Sequence, residues 1–391
     1  MPAGTRLYLG LISGTSADGI DAALVEFADP SATPPPSMAG HFKKSPAPPR
    51  LVAARTFAYP AAVRERIVSL ARSDAEIALD AYGRLDVEIG TCFADAATAL
   101  LRDAGIDPRN VTAIGSHGQT VCHRPGGPRP FTLQIGDACV IAEQTGITTI
   151  ADFRRADVAA GGQGAPLLPA LHAAVFADAQ IPRAILNLGG IANATLLRPG
   201  NDVIGFDTGP ANCLLDAWAA RHLGTARDEN GAWSANGRIR VDVLAALLRD
   251  PYFAAPPPKS TGREYFNLDW LAAHLPAGAD AADVQATLLA LSARSIADAL
   301  HSSGVAEVYA CGGGVHNSAL MAALRAELPA LRIDTTAALG LDPDFVEAAG
   351  FAWLARARLA GLPGNLPSVT GARGPRALGA LYSAPSLPMS R

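Results

Sequence analysis

The stretch Gly10–Glu26, GLISGTSADGIDAALVE, decides the predicted fold. Apolar residues alternate as far as Ile12, a segment rich in glycine, serine and aspartate follows, and a second apolar run extends from Ile20 to Val25. A strand, a glycine turn and a second strand predict a β-hairpin. N–H groups of a tight turn that no Cβ obstructs, with hydroxyls beside them, favour a bound phosphate. An ordinary hairpin turn has the same composition, so both interpretations stay open at this point.

The turn of this hairpin contains the candidate nucleotide-binding residues, which are Gly14, Thr15, Ser16, Ala17, Asp18, Gly19, Ile20 and Asp21. The carboxylates of Asp18 and Asp21 would repel a bare phosphate, so we expect a divalent cation there, with Asp18 as the candidate Mg²⁺ ligand. The stretch lacks the Walker pattern, and it does not open a helix after Gly-x-Gly-x-x-Gly as a Rossmann motif would.

Length and composition predict a globular protein with two domains. The chain has 391 residues, of which 49% are hydrophobic and 17% charged, enough for two substantial cores. A net charge of −4 without a basic block argues against a nucleic-acid partner. We expect no membrane segment, since no apolar run of about 18 residues occurs. We expect no signal peptide, since Met1 to Arg6 lacks the basic-then-apolar layout of one. Five scattered cysteines predict reduced thiols and a cytoplasmic location.

Polar residues follow the predicted buried strand Val111–Gly115, in the glycine-containing loop Ser116–Thr120. Polar groups at the end of a strand are typical of a ligand site in an α/β fold. The substrate-binding candidates in this loop are His117, Gln119 and Thr120. Arg154, beyond a later strand, is another candidate because its planar fork suits a substrate carboxylate. A salt-linked corner with neighbouring aspartates also explains this arginine.

The second half of the chain repeats the pattern of the first. Strands predicted at Ala184–Leu188 and Ile191–Leu197 enclose a second glycine turn, formed by Gly189 and Gly190. A third glycine turn lies between a strand and the helix that begins at Ser318, and its residues are Gly312, Gly313 and Gly314. Bare backbone there can accept a flat base and ribose, although a glycine-rich strand-to-helix turn needs no ligand.

Two halves that each open with a glycine hairpin predict a duplicated α/β domain with a nucleotide cleft between the copies. We place the first domain at residues 1–180 and the second at residues 181–391. The proline-rich segment 29–50 interrupts the first domain. Such a segment stays extended or disordered and adds nothing to a core, so we predict an insertion at a hairpin tip.

Together these motifs resemble the anhydro-N-acetylmuramic acid kinases, a family of the actin, sugar kinase and heat-shock ATPase superfamily. The resemblance covers nearly the whole chain. Its remaining motifs are Ala151–Arg154, Gly161–Pro166, Asp207–Asn212, Ser260–Glu264 and Val369–Ala372. The departures are Ala17, where a larger apolar residue is usual, Ala211, where glycine is usual, and the proline-rich segment.

The resemblance implies duplicated actin-like (ribonuclease H-like) ATPase domains and a cytoplasmic, homodimeric kinase that uses ATP and Mg²⁺. Its substrate would be the small amino sugar 1,6-anhydro-N-acetylmuramic acid. Hydrolytic ring opening and phosphorylation of O6 would give N-acetylmuramic acid 6-phosphate, in peptidoglycan recycling.

Asp207 is the candidate catalytic base, because it ends a strand directly after the second glycine hairpin and is ionised at neutral pH. An aspartate that caps the next helix is the alternative.

Glu347 begins an alanine-rich helix, where an acidic residue interacts favourably with the helix dipole. The resemblance favours a sugar contact for Glu347. Two other functions stay open, a different carbohydrate kinase and an actin-like ATPase without a sugar site.

Overall fold

The computed structural model describes residues 5–14, 17–28, 48–70 and 76–385. The chain divides into two compact units, Met1–Val175 with Phe345–Arg391, and Phe176–Asp344. The division near residue 175 lies close to the predicted boundary, but residues 345–391 belong to the first unit and not to the second, because the helix that follows Phe345 packs on the first sheet. Most of the predicted insertion, residues 29–47, lies outside the described residues.

The described strands, in chain order, are β1 (Thr5–Ser13), β2 (Ile20–Ala28), β3 (Arg50–Phe57), β4 (Val111–Arg124), β5 (Phe131–Ile135), β6 (Thr149–Ala151), β7 (Arg183–Leu188), β8 (Ile191–Leu197), β9 (Ile204–Pro210), β10 (Glu307–Cys311), β11 (Arg332–Thr335) and β12 (Ala380–Tyr382). The described α-helices are α1 (Ala61–Leu70), α2 (Leu79–Asp103), α3 (Ala138–Thr145), α4 (Arg155–Ala159), α5 (Leu168–Phe176), α6 (Cys213–Leu223), α7 (Val241–Leu247), α8 (Pro251–Ala254), α9 (Leu268–Ala272), α10 (Ala281–His301), α11 (Ser318–Glu327), α12 (Val346–Leu359) and α13 (Pro367–Thr370). Within these described ranges, no helix is both long and apolar enough to cross a membrane.

The two units contain the same arrangement of five strands. In the first sheet the order is β12-β6-β4-β1-β2-β3, with β5 paired to β4; in the second it is β11-β10-β7-β8-β9. In each sheet three consecutive strands pair antiparallel, and the first of the three has two further strands parallel to it on its other side. This topology confirms the duplicated α/β, ribonuclease H-like fold.

Both predicted glycine hairpins are present. Strands β1 and β2 pair from Thr5 with Ala28 to Ile12 with Asp21, and β7 and β8 pair up to Leu188 with Ala192. The predicted loop Ser116–Thr120 is wrong, however. These residues lie inside the long strand β4, because β5 pairs with them and extends the sheet beyond the predicted strand end.

The helix α12 lies directly on the backbone of β1 and β4. A Cβ added at Gly10 would lie 1.8 Å from the carbonyl oxygen of Ala348, and one at Gly115 would lie 2.0 Å from that of Phe351. Only glycine permits such an approach of helix to sheet. The helix α2 buries its apolar residues Leu85, Ile89, Phe93 and Ala97 in the core of the first unit.

We predict that Gly10→Ala destabilises the protein by about 3 kcal/mol or more, because the added methyl meets backbone atoms that cannot rotate away. The measurement is the free energy of unfolding from denaturant titration. Gly126→Ala is the matched control, since a Cβ there meets nothing within 4 Å and should change that free energy by no more than about 1 kcal/mol. Equal effects of the two substitutions would contradict the close approach of α12.

Candidate functional site

The turn of the first glycine hairpin is anchored by an arginine. Arg64 donates from Nε to the carbonyl oxygen of Ala17 at 3.1 Å and from a terminal nitrogen to the exposed Asp18 carboxylate at 3.0 Å. Ala17 is buried and has a φ of 52°, in the left-handed region that non-glycine residues rarely adopt. Sequence reasoning missed Arg64 because it lies on α1, far along the chain. Thr15 and Ser16, also predicted to bind the nucleotide, lie outside the described residues.

Two other residues predicted to bind the nucleotide, Ile20 and Asp21, make contacts within the protein. Ile20 is buried in the core, and the Asp21 carboxylate accepts a hydrogen bond from Thr56 Oγ1 at 2.6 Å. Within the described ranges no cluster of three or more acidic, histidine or cysteine side chains could bind a metal ion. A magnesium ion at Asp18 would therefore depend mainly on phosphate and water oxygens, as it does in many nucleotide sites.

Gln119 supports the first glycine turn from beneath. Its buried side chain accepts a hydrogen bond from Ser13 Oγ at 2.6 Å and donates to the carbonyl oxygen of Gly14 at 3.1 Å. These bonds make Gln119 a support of the turn, and its predicted contact with substrate stays a prediction. Thr120 is half-buried, and its hydroxyl accepts a hydrogen bond from Gln134 at 3.2 Å.

The buried His117 and the half-buried Arg154 form a hydrogen-bonded pair. Arg154 Nε donates to His117 Nε2 at 3.0 Å, and His117 Nδ1 lies 2.9 Å from the carbonyl oxygen of Gly118. Because arginine only donates, Nε2 must accept, so the imidazole is neutral with its proton on Nδ1. Burial and the charge of Arg154 lower the pKa of His117 well below its ordinary value, in agreement. Both ring nitrogens are therefore used within the protein.

One terminal nitrogen of the Arg154 guanidinium is available for a ligand. One terminal nitrogen donates to the carbonyl oxygen of Gly164 at 2.7 Å, and the other has no hydrogen-bond partner among the described residues. Burial lowers the pKa of Arg154 to about 10, while the nearby carboxylates of Glu347 and Asp157 oppose this. The guanidinium is thus charged at neutral pH. Glu347 begins α12, as predicted, and lies in the first turn of that helix.

A polar cavity of about 260 Å³ lies in the first unit. Carboxylates of Asp86, Asp137 and Asp152 line it, together with Ser116. The Ser116 hydroxyl is buried and has no hydrogen-bond partner among the described residues. The cavity offers acceptors and a donor to a ligand that bears hydroxyl groups, and sequence reasoning did not single it out.

In the second unit, the second glycine turn presents free N–H groups. The carbonyl oxygens of Gly189 and Gly190 accept hydrogen bonds from the backbone of residues 211–213 at 3.0–3.1 Å, and the Asn212 side chain also donates to Gly189 at 2.7 Å. The N–H groups of both glycines have no acceptor among the described residues. The turn therefore directs donors outward, as a phosphate site requires.

The third glycine turn borders a cavity of about 130 Å³ in the second unit. Gly312 has a φ of 81°, and Gly313 is exposed with open space where a Cβ would lie. Arg227 and Glu229 line the cavity together with His316, which is paired with Asp344 at 2.8 Å. Bare backbone beside a polar cavity is compatible with a nucleotide base and ribose. The predicted contact of Gly312, Gly313 and Gly314 with them stays a prediction.

Asp207 is oriented by the loop that follows α8. Its Oδ2 accepts hydrogen bonds from Ser260 Oγ and from the Thr261 N–H, both at 2.9 Å. Its backbone carbonyl accepts from Tyr252 Oη at 2.8 Å. Burial raises the pKa of Asp207 above its ordinary value, and the two hydrogen bonds oppose this. One carboxylate oxygen is thus held while the other remains available, and Asp207 does not cap α6.

A family model described as anhydro-N-acetylmuramic acid kinase matches residues 6–384. The chain belongs to this family. Curated relatives with that name include a protein of Xanthomonas oryzae pv. oryzae, 56% identical over 381 residues that cover 97% of each chain. A protein of Pasteurella multocida is 48% identical over 392 residues, 98% of each chain. One of Coxiella burnetii is 46% identical over 380 residues, 96% of this chain and 97% of the other.

Two of the motifs that resemble the anhydro-N-acetylmuramic acid kinase family meet at Asp157, one of the aspartates of the predicted salt-linked corner. The fully buried Asp157 accepts hydrogen bonds from Thr370 Oγ1 at 2.7 Å, Asn365 Nδ2 at 2.6 Å and the Gly164 N–H at 2.7 Å. It thereby links the segments around Arg154, Gly164 and Thr370. The sequence signal was a second aspartate three residues beyond Arg154.

We predict that Asp157→Asn lowers the free energy of unfolding by roughly 2–3 kcal/mol, because in either orientation its amide group faces an N–H or O–H donor. Thermal and denaturant unfolding measure the change. Asp95→Asn, at an exposed position of α2 in the same unit, should stay within about 0.5 kcal/mol of the parent protein. A neutral Asp157→Asn variant would show that this carboxylate does not hold the segments together.

Proposed function

We propose that the protein is an ATP-dependent kinase that opens 1,6-anhydro-N-acetylmuramic acid with water and phosphorylates O6, giving N-acetylmuramic acid 6-phosphate. Membership of the family supports this substrate. The observation that carries the chemistry is Asp207, whose carboxylate is fixed by Ser260 and Thr261 beside the second glycine turn. An ATPase without a sugar site would not need such an oriented base. A different carbohydrate kinase would use one to take the proton of a sugar hydroxyl, and family membership argues against that alternative.

Asp207 is proposed to remove a proton from the water that attacks C1. The C1–O6 bond breaks as the water oxygen bonds to C1, and O6 becomes a nucleophile. O6 then bonds to the γ-phosphorus of ATP while the bond from that phosphorus to the β-phosphate oxygen breaks. Glycoside hydrolases usually need a second carboxyl group to protonate the leaving oxygen. Capture of O6 by the phosphoryl group replaces that acid here.

The nucleotide is proposed to bind the three glycine turns. The Gly189 and Gly190 N–H groups would donate to phosphate oxygens, residues 14–21 would contact the phosphates, and Gly312–Gly314 would face the base and ribose. Asp18 would bind a magnesium ion together with phosphate and water oxygens. That ion would offset the charge of the phosphates.

The sugar is proposed to contact Arg154, Glu347 and Thr120. The free nitrogen of the Arg154 guanidinium suits the carboxylate of a muramic acid, because arginine binds carboxylates through planar, charge-assisted hydrogen bonds. His117 accepts from Arg154 and so would position it, and Gln119 would position the first glycine turn. We further propose a cytoplasmic homodimer that acts in peptidoglycan recycling.

The test is ADP release from ATP in the presence of a panel of sugars. We expect release with 1,6-anhydro-N-acetylmuramic acid and little with glucose or N-acetylglucosamine. Phosphorylation of ordinary hydroxyl sugars with equal efficiency would favour another carbohydrate kinase. ADP release that no sugar stimulates would favour an ATPase without a sugar site.

We predict that Asp207→Asn lowers turnover on the order of a hundredfold to ten-thousandfold, because the amide keeps the shape but cannot accept the proton of water. The affinities for ATP and sugar, measured by calorimetry, should change little. The control is Asp202→Asn, an exposed residue of the same unit, which should retain full turnover. Near-normal turnover of the Asp207→Asn variant would remove Asp207 from the mechanism.

Ser260→Ala should shift the pH dependence of turnover. Its hydroxyl stabilises the charged form of Asp207 and so lowers the pKa of that carboxyl. The base works only when deprotonated, so activity falls as the pH drops through this pKa. Removal of the hydroxyl raises the pKa, and the acid limb of the profile of turnover against pH should move to higher pH. An unmoved acid limb would show that Asp207 does not set it.

A further inference from the structure

The guanidinium of Arg263 lies on the second glycine turn. A Cβ added at Gly190 would lie 2.8 Å from Arg263 Nε and 2.9 Å from one of its terminal nitrogens. Glycine at this position therefore leaves space that the arginine occupies. Arg263 is exposed to solvent, and it has no ion pair and no hydrogen bond with any of the described residues. Its charge is uncompensated within the described part of the protein.

Arg263 also lies near the start of α6. Burial raises the pKa of the Cys213 thiol to about 11, and the positive charge of Arg263 opposes that rise. The same turn contains the N–H groups of Gly189 and Gly190, which have no acceptor in the described ranges. An unpaired guanidinium and unpaired backbone donors at one turn are complementary to an anion with several oxygen atoms.

We propose that Arg263 binds the γ-phosphoryl group of ATP and stabilises the negative charge on it during transfer. This inference rests on the proposed kinase function and deepens it. As the bond between the γ-phosphorus and the β-phosphate oxygen breaks and the bond to O6 forms, charge remains on the three outer oxygens. A permanently charged guanidinium at fixed distance lowers the energy of that state.

The loop around Arg263 connects this cation to the proposed base. Ser260 and Thr261, three and two residues before Arg263, hold Oδ2 of Asp207 at 2.9 Å. The same short loop therefore orients the carboxylate that would activate water and contains the arginine that would meet the phosphoryl group. Arg263 could also bind a sugar carboxylate. The contact of Arg263 with the second glycine turn favours phosphate instead.

The test compares Arg263→Ala with Arg263→Lys and with Arg238→Ala, a substitution of another exposed arginine in the same unit. Arg263→Ala should lower kcat at least about a hundredfold. It should also weaken binding of AMP-PNP, which carries a γ-phosphoryl group, at least about fivefold, while the affinity for ADP stays unchanged. Arg263→Lys should recover part of kcat because it keeps the charge but loses the planar fork. Arg238→Ala should match the parent protein in all three measurements.

Other outcomes would overturn the inference in distinguishable ways. A parent protein that neither binds AMP-PNP nor releases ADP would overturn the proposed function and this inference together. If the parent is active and Arg263→Ala has unchanged kcat and AMP-PNP affinity, only the role of Arg263 falls. A rise confined to the KM for the sugar would assign Arg263 to the sugar carboxylate instead. Equal loss of ADP and AMP-PNP affinity would place it on the inner phosphates.

Discussion

The first unit depends on one backbone contact, the approach of α12 to β1 and β4 through Gly10 and Gly115. No side chain fits between the helix and these strands, so the helix axis and its rotation are fixed by backbone atoms. This contact places the Phe351 ring 4.6 Å from that of His117 and brings the charge of Glu347 close to Arg154. The helix α12, which comes late in the chain, thereby brings Glu347 to the polar side chains His117 and Arg154 of the first unit.

The second unit uses hydrogen bonds for the same purpose. The carbonyl groups of its glycine turn are bound by residues 211–213, which leaves the N–H groups outward, and Ser260 and Thr261 orient Asp207. The pKa of Asp207, the proposed base, is raised by burial, and the two donors oppose this rise. The same two donors thus orient the Asp207 carboxylate and lower its pKa, so Ser260→Ala alters both.

The sequence predicts features that local patterns determine. The two glycine hairpins, the apolar stripe of α2 and the start of α12 at Glu347 all follow from turn chemistry and hydrophobic periodicity. The strand β4 does not, because Ser116–Thr120 has the composition of a loop and is made a strand by its pairing with β5. The assignment of residues 345–391 to the first unit depends on a long-range contact of Gly10, which no local pattern reveals. The contacts of Arg64 and Arg263 were missed for the same reason, since each arginine lies far along the chain from the glycine turn that it meets.

Water is proposed to open the anhydro ring at C1 while O6 is phosphorylated. The most direct measurement is the reaction with ATP in water enriched in heavy oxygen, stopped early and analysed by mass spectrometry of product fragments. We expect one heavy oxygen on C1 and none in the bond between O6 and phosphorus. Heavy oxygen in the phosphate ester, or a phosphorylated product that keeps the anhydro ring, would contradict it.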